Sequence, residues 1–260
     1  MENIIESKEY ILEVKNITKK YGGVMALDNV SLSVKKGEVL AIVGDNGAGK
    51  STLIKIISGV IPKDSGEIFY KGKKVEINSP LDARKLGMET VYQDLALIDI
   101  FNIPLNIFIS REIVYENLYG KLTKAVNYNK MMKETVDLFN KYNIKITELD
   151  KPLFNYSGGQ RQAVALSRAA YWGSKFIILD EPTAALGVKE SKNALDLIKT
   201  LNEHGITIII ISHNLQHIFT VVDRIFVLRQ GKEAGIKNIH ETDFDEIVGM
   251  ITGSRVIEKV

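Results

Sequence analysis

At 260 residues, with 45% apolar and 25% charged residues, the chain is long enough for a large α/β core and lacks the composition of a disordered polymer. A net charge of +2 is too near balance for the basic footprint of a nucleic-acid binder, and the lack of cysteine excludes disulfides and thiolate metal sites. The N-terminal MENIIESKEYILEVKN has scattered charges and no apolar core, so a secretory signal is not expected. The longest aliphatic run, Ile206 to Ile211 with Thr207 inside it, is far shorter than the ~20 residues of a membrane span, so any role at a membrane requires a partner.

In NVSLSVKKGEVLAIVG, Val30, Leu32 and Val34 alternate with Ser31 and Ser33, the period of a half-buried antiparallel strand. Lys35-Lys36-Gly37 reads as a turn, and the apolar run from Val39 to Val43 as a strand buried on both faces. A glycine-rich loop then leads into KSTLIKIISGVI, whose apolar spacing fits a helix ending near Gly59. Short β segments return from 66 to 77 around a turn at Lys71-Gly72-Lys73. From about 95 to 174 the pattern is mostly helical, most clearly in NYNKMMKETVDLFNKYNI. KFIILDEP and ITIIIISHN read as buried strands of parallel type joined by the helical SKNALDLIKTLNEHG, a βαβ unit with a right-handed crossover. The tail from about Ala234 is short and mixed, and no internal repeat or low-complexity tract is visible.

Three segments carry chemistry. Gly44-Asp45-Asn46-Gly47-Ala48-Gly49-Lys50-Ser51 matches G-x-x-x-x-G-K-[ST] between a buried strand and a helix. Glycine there lets backbone N–H groups close around phosphate oxygens, Lys50 reaches the outer phosphates, and Ser51 offers a hydroxyl to Mg²⁺. The helix start, through Thr52, adds its positive dipole end. An ordinary strand-to-helix turn is the competing reading, and the flanking strand and helix weigh against it. FIILDEP delivers Asp180 and Glu181 at the carboxyl end of a buried strand, where ligands bind in open α/β sheets. Asp180 suits Mg²⁺, through water, and Glu181 suits an attacking water; standing alone, such a pair more often just ends a strand. Ser157-Gly158-Gly159-Gln160 opens RQAVALSRAAYW, with serine as N-cap and first-turn N–H groups exposed, a second helix start suited to an anion. Nothing in this spacing requires both anions to belong to one nucleotide.

Together these residues resemble the ATPase family of ABC transporters. The loop at 44–51 looks like its Walker A, YSGGQ at 156–160 like its signature motif, and ILDEP at 178–182 like its Walker B. Gln93 in VYQDL resembles the Q-loop glutamine, His213 in ISHN the switch histidine, and Tyr21 in KKYGG the aromatic that stacks on adenine. All six occur in the family's order across almost the whole chain. The resemblance implies one α/β domain over 1–260. Residues 1–94 and 175–260 would form a P-loop core with a mostly parallel sheet and an N-terminal antiparallel β subdomain, and 95–174 a helical subdomain carrying the signature. It implies ATP and Mg²⁺ as ligands, with Ser51, Gln93 and Asp180 at the metal and Lys50, Gln93, Glu181 and His213 in hydrolysis. Tyr21, the loop through Thr52, and Ser157, Gly158, Gly159 and Gln160 would hold nucleotide. His204, His217 and His240 receive no role.

Two departures stand out. Tyr156 replaces the usual leucine, which is expected to alter packing under the helix more than anion binding. Ala184-Ala185-Leu186-Gly187 stands where Ser-Ala-Leu-Asp is common, removing the acidic D-loop side chain and its contacts between subunits. In the family two subunits face head to tail, the Walker A of one and the signature of the other enclosing each ATP. This implies a homodimer on ATP binding, with permease subunits docked near Gln93 and the helical insertion, where Phe101 and Phe108 are the expected contacts. It also implies an extracytoplasmic sugar-binding protein reached indirectly, a peripheral place on the cytoplasmic face of the membrane, and no nucleic-acid partner. EPTAALGVKE, SHNLQHIFTVVDRIFVLRQGK and NIFISREI look like monosaccharide importers of the ribose, xylose and fructose type, where Gly187 is familiar. Import of another small solute is the alternative. Family members acting on DNA or ribosomes carry a long coiled coil or a second cassette with a basic linker, and neither is seen. A binding module without catalysis is expected to have lost Glu181 or His213, and both stand.

Overall fold

Strands that are apolar at every position need cover on both faces, and the central sheet provides it. The computed structural model describes residues 9–117, 122–173 and 175–254. Its main sheet contains β3 (Val39–Val43), β6 (Met88–Val91), β7 (Phe176–Asp180), β8 (Thr207–Ile211), β9 (Arg224–Arg229) and β10 (Lys232–Asn238). Their order is β10-β9-β3-β8-β7-β6, parallel throughout except for the antiparallel edge β10. Alternate residues of one strand enter different cores. Val39, Ala41, Val43, Ile208 and Ile210 face one, whereas Leu40, Ile42, Ile209 and Ile211 face the other.

The second core is closed by α1 (Lys50–Ile57) and an antiparallel sheet of β1 (Tyr10–Tyr21), β2 (Val24–Lys35), β4 (Ser65–Tyr70) and β5 (Lys73–Val75), ordered β2-β1-β4-β5. The first core is closed by α3 (Ile103–Phe108), α4 (Tyr128–Lys141), α5 (Gly158–Trp172), α6 (Val188–Glu203), α7 (Leu215–Ile218) and α8 (Phe244–Thr252). A further helix, α2 (Pro80–Lys85), precedes β6. Short polar side chains start these helices, as when Asn102 accepts from Leu105 N at 3.1 Å and Asp243 from Glu246 N at 2.8 Å. Lys71 and Gly72, with φ of 51° and 74°, make the two-residue hairpin turn between β4 and β5, as the sequence predicts. Among the described residues no helix is long and apolar enough to cross a membrane.

Two sequence expectations need correction, and β1 lacks a readable period for a structural reason. β1 has no clean alternation, because its pairing with β2 shifts register four times and Asn16 takes a φ of 53°. Each shift moves the inward face, and the period-2 signal is lost. The span from 95 to 174 is helical only in part. Ser110 and Lys124 adopt positive φ of 60° and 54°, which a right-handed helix cannot hold, and Val114 bridges Val126 as an isolated antiparallel pair.

Phe108 is a core residue and not a docking contact. Its ring is fully buried, edge-on to Tyr171 at 4.9 Å and Trp172 at 5.9 Å. Phe108→Ala is therefore expected to destabilise the fold by ~3–5 kcal/mol, the range for emptying a buried aromatic site. Urea unfolding checks this, and a loss below ~1 kcal/mol would contradict the packing.

Candidate active site

The loop at residues 44–49 follows the buried end of β3, and neighbouring strands dictate its shape. Gly44 has a φ of 152°, and a Cβ there would collide with the carbonyl oxygen of Leu228 in β9. Gly49 has a φ of 105°, and its Cβ would stand 2.7 Å from the carbonyl oxygen of Ala26 in β2. Backbone atoms of packed strands do not yield, so both positions require glycine for space as well as conformation. Ala48 N donates to Asp45 O at 3.1 Å, whereas the first-turn N–H groups of Lys50, Ser51 and Thr52 have no intrahelical acceptor. Asp45, Asn46 and Gly47 lie at the exposed tip.

Lys50 folds back on this loop, donating to Gly44 O at 2.6 Å and Asp45 O at 2.9 Å. Burial pushes its pKa down, against the opposing pull of Glu181, Asp45 and Asp180. An ammonium held only by carbonyls gains from an incoming phosphate, which offers a full negative charge.

Asp180 ends β7, directly opposite Ile211 at the end of β8. Burial first, and then the charge of Glu181, raise its pKa, with Lys55 and Lys50 opposing. Glu181 itself has a φ of 51°, unusual for a residue with a side chain. Its N–H donates to Ile211 O at 2.8 Å. Its Oε1 accepts from His213 N at 3.1 Å and lies 2.8 Å from His213 Nδ1. Glu181 is 15% exposed and His213 72%, so a sheltered carboxylate is joined to a solvent-facing imidazole. A cavity of about 380 Å³ connects Gly44, Asp45 and Asn46 to Ser212, His213 and Leu215.

Gln93 is exposed two residues beyond β6, which pairs with β7 and so opens on the same edge as Asp180. The segment after it is clamped to α5. Arg168 donates to Leu95 O and Ala96 O, both at 2.8 Å, and Arg161 pairs with Asp99 at 2.5 Å. Buried Asn106 donates to the carbonyls of Ile98, Phe101 and Asn102 and accepts from Ile98 N. The sequence does not mark these residues, because an arginine on a helix reveals no partner some seventy positions away. Tyr21 ends β1 and is 48% exposed.

The start of α5 carries a capping box. Ser157 Oγ accepts from Gln160 N at 3.3 Å, and Gln160 Oε1 accepts from Ser157 N at 3.0 Å. That leaves the N–H groups of Gly158 and Gly159 at the helix mouth. Tyr156, half-buried under the helix, donates its hydroxyl to Glu148 O. At the position of the missing acid, Glu190 Oε2 lies 2.6 Å from where a Cβ on Gly187 would stand. Glu190 Cγ also comes within 2.8 Å of a Cβ built on Gly159. An aspartate at 187 would thus face a carboxylate already in place.

The fold therefore gathers Lys50, Ser51, Gln93, Asp180, Glu181 and His213 at one end of the main sheet. Ser157, Gly159 and Gln160 line a different groove, between α5 and α6. Among the described residues, no group of three or more His, Asp or Glu side chains could hold a metal alone.

Comparison with known proteins identifies the family. The family described as ABC transporter matches residues 27–184. The chain is 47% identical to the xylose/arabinose import ATP-binding protein XylG of Sulfolobus acidocaldarius, over 93% of its own length and 94% of that protein. It is 42% identical to the fructose import ATP-binding protein FrcA of Rhizobium meliloti, over 96% of each. A nucleotide-free ATP-binding cassette from an ABC transporter superposes with a TM-score of 0.79 at 26% identity, over 96% of this chain and 98% of that one. Phosphate loop, paired strand ends and near full-length identity converge: the chain belongs to the ABC transporter family, as one of its ATP-hydrolysing cassettes.

Proposed function

We propose that the chain energises import of a monosaccharide by hydrolysing ATP between residues 44–52 and the ends of β7 and β8. For hydrolysis the carrying observation is the 2.8 Å contact of Glu181 with His213 beside the phosphate loop. For the solute it is the near full-length identity to XylG and FrcA, named as xylose/arabinose and fructose importers.

Loop N–H groups and Lys50 bind the phosphates, and Glu181 takes the proton of the attacking water. His213 fixes the direction of that carboxylate. Ser51, Asp180 and Gln93 provide one hydroxyl, one carboxylate and one amide, a set suited to Mg²⁺ that keeps most of its shell as water and phosphate. When bound, the ion offsets charge on the phosphates. Gly158 and Gly159 offer N–H groups to the nucleotide of a second copy, with Ser157 and Gln160 shaping the helix mouth.

Tyr21 stacks on adenine. Tyr21→Ala is expected to weaken ATP and ADP binding alike by ~1–3 kcal/mol, while Tyr21→Trp binds about as well as wild type. Titration calorimetry checks this, and unchanged affinity in Tyr21→Ala would return the ring to a packing role.

The chain works peripherally at the cytoplasmic face of the membrane, docked on a permease near the segment after Gln93. Ile100 and Phe154 are 73% and 61% exposed there, and Phe154 N donates to Asp99 O at 3.1 Å. Residues 95–174 act as one lobe and 1–94 with 175–260 as the other, the Arg161 and Arg168 clamps carrying movement of the first to Gln93. A sugar-binding protein outside the membrane acts on this chain only through the permease. Nucleic acid is no partner, in keeping with the charge of +2. In vesicles holding the chain and its permease, ATP-driven uptake of labelled xylose, arabinose, ribose or fructose is expected, and Lys50→Ala should abolish it. Uptake confined to amino acids or another solute would overturn the sugar reading.

A further inference from the structure

We propose that His217 is a positioning residue for hydrolysis, fastening α7 to the turn that carries Glu181. The inference rests on the role assigned to Glu181 above. Between 181 and 185 two non-glycine residues occupy the left-handed region, Glu181 at φ 51° and Ala185 at φ 62°. Such conformations persist only where the surroundings over-determine them. One fastening is Glu181 N on Ile211 O, a second is Ala184 N on Glu181 O at 3.0 Å, and a third is His213 on the Glu181 carboxylate. The fourth lies beyond the site itself. The Thr183 hydroxyl, in a residue 7% exposed, is 3.0 Å from His217 Nδ1.

His217 lies in α7, four positions after His213, with the Asn214 cap between them. The segment after β8 is thus joined to the Glu181 turn at two points, His213 to Glu181 and His217 to Thr183. The second point has a defined direction. Asn214 caps α7, its Oδ1 accepting from His217 N at 3.2 Å. Its amide nitrogen therefore faces His217 Nε2, in a long contact of 3.5 Å. An N–H aimed at Nε2 makes that nitrogen the acceptor, so Nδ1 carries the hydrogen and donates to Thr183 Oγ1. Asn214 is held in turn, its N–H donating to the buried Ser212 hydroxyl at 3.1 Å. The series Ser212, Asn214, His217, Thr183 runs from the end of β8 to the Glu181 turn, and none of its hydrogen bonds involves residues 44–52. Loss of His217 should then affect turnover and leave nucleotide binding alone.

Isosteres provide the test. His217→Asn sets an amide nitrogen where Nδ1 stands and keeps the donation to Thr183, whereas His217→Gln sets it where Nε2 stands and loses it. In steady-state ATPase assays of the full chain, His217→Ala and His217→Gln are expected to lower kcat about tenfold, with KM for ATP within about twofold. His217→Asn is expected to recover to within about threefold of wild type. Thr183→Val should fall as far as His217→Ala, and the double variant no further, because both remove one contact. A side chain that only fills space would show the opposite preference, the longer glutamine restoring more than asparagine. If His217→Ala does not fold, the comparison of folded His217→Asn with His217→Gln carries the test. Wild-type kcat in His217→Ala or His217→Gln, additive losses in the double variant, or an equal loss of ATP affinity would overturn the proposal. Glu181→Gln assayed alongside separates the two readings. If it turns over ATP like wild type, Glu181 is not the base and His217 has nothing to position; if it is inert and the His217 variants are unaffected, only the role of His217 falls.

Discussion

Glu181→Gln is expected to lower ATP turnover by ~10²–10⁴ while ATP affinity stays at the wild-type value. The amide has the shape of the carboxylate, and its oxygen can still accept from His213 N, which Glu181 Oε1 does at 3.1 Å. The left-handed backbone at 181 is untouched, and its N–H keeps Ile211 O. What is lost is the ability to take a proton from water. The groups proposed to bind phosphate are Lys50 and the N–H groups of the loop and α1, none of which relies on Glu181 for shape. Burial pushes the Lys50 pKa down and Glu181 opposes it, but Asp45 and Asp180 oppose it as well and both remain in the variant. Single-turnover assays with ATP binding measured in parallel check the separation. Turnover near wild type would rule Glu181 out as the essential base.

Hydrolysis is also expected to require two chains, and mixing two inactive variants should restore it. One chain offers two helix starts with unspent N–H groups, α1 behind the 44–49 loop and α5 behind Ser157, and the loop before α1 and the start of α5 line separate cavities. In the proposed dimer, a symmetric pair would bring the α5 start of each copy to the phosphates held by the other. Lys50→Ala removes the ammonium of one half. Gly158→Asp spoils the other half with little strain on the chain itself, since Gly158 is exposed and a Cβ there meets only Leu186 Cδ2, at 3.5 Å. The added carboxylate repels an anion at that helix mouth. In an equal mixture, random pairing makes about half the dimers mixed, each with one intact composite site, so roughly a quarter of wild-type activity is the ceiling. Glu181→Gln should form this dimer with ATP and remain largely monomeric with ADP, because the terminal phosphate reaches the opposing N–H groups. Light scattering across protein concentration is the check, and a monomer throughout, together with an inert mixture, would mean that the site is not shared.

What the sequence determines by itself is whatever a short run of backbone can build. The phosphate-loop motif is legible because Gly44, Gly49, Lys50 and Ser51 set adjacent N–H groups and one helix start within a short stretch of chain. The cap of α5 is legible for the same reason, since Ser157 and Gln160 bond across three positions. The buried strands are legible because a run such as TIIII has no polar face to show water. Packing decided the rest. That β7 lies beside β8 is expected from the βαβ reading, but that the Glu181 carboxylate meets His213, 32 positions away, depends on the left-handed backbone at 181, which no local period encodes. β1 escaped because its irregular register erased the alternation, and Phe108 looked like a surface contact until Tyr171 and Trp172 closed over it. Gly44 and Gly49 carry both lessons. Their need for a bare Cα can be read from the motif, but the crowding carbonyls of Leu228 and Ala26 belong to strands brought there by the fold. Local chemistry is written in adjacent residues; its orientation is set by distant strands whose side chains have to fill common cores.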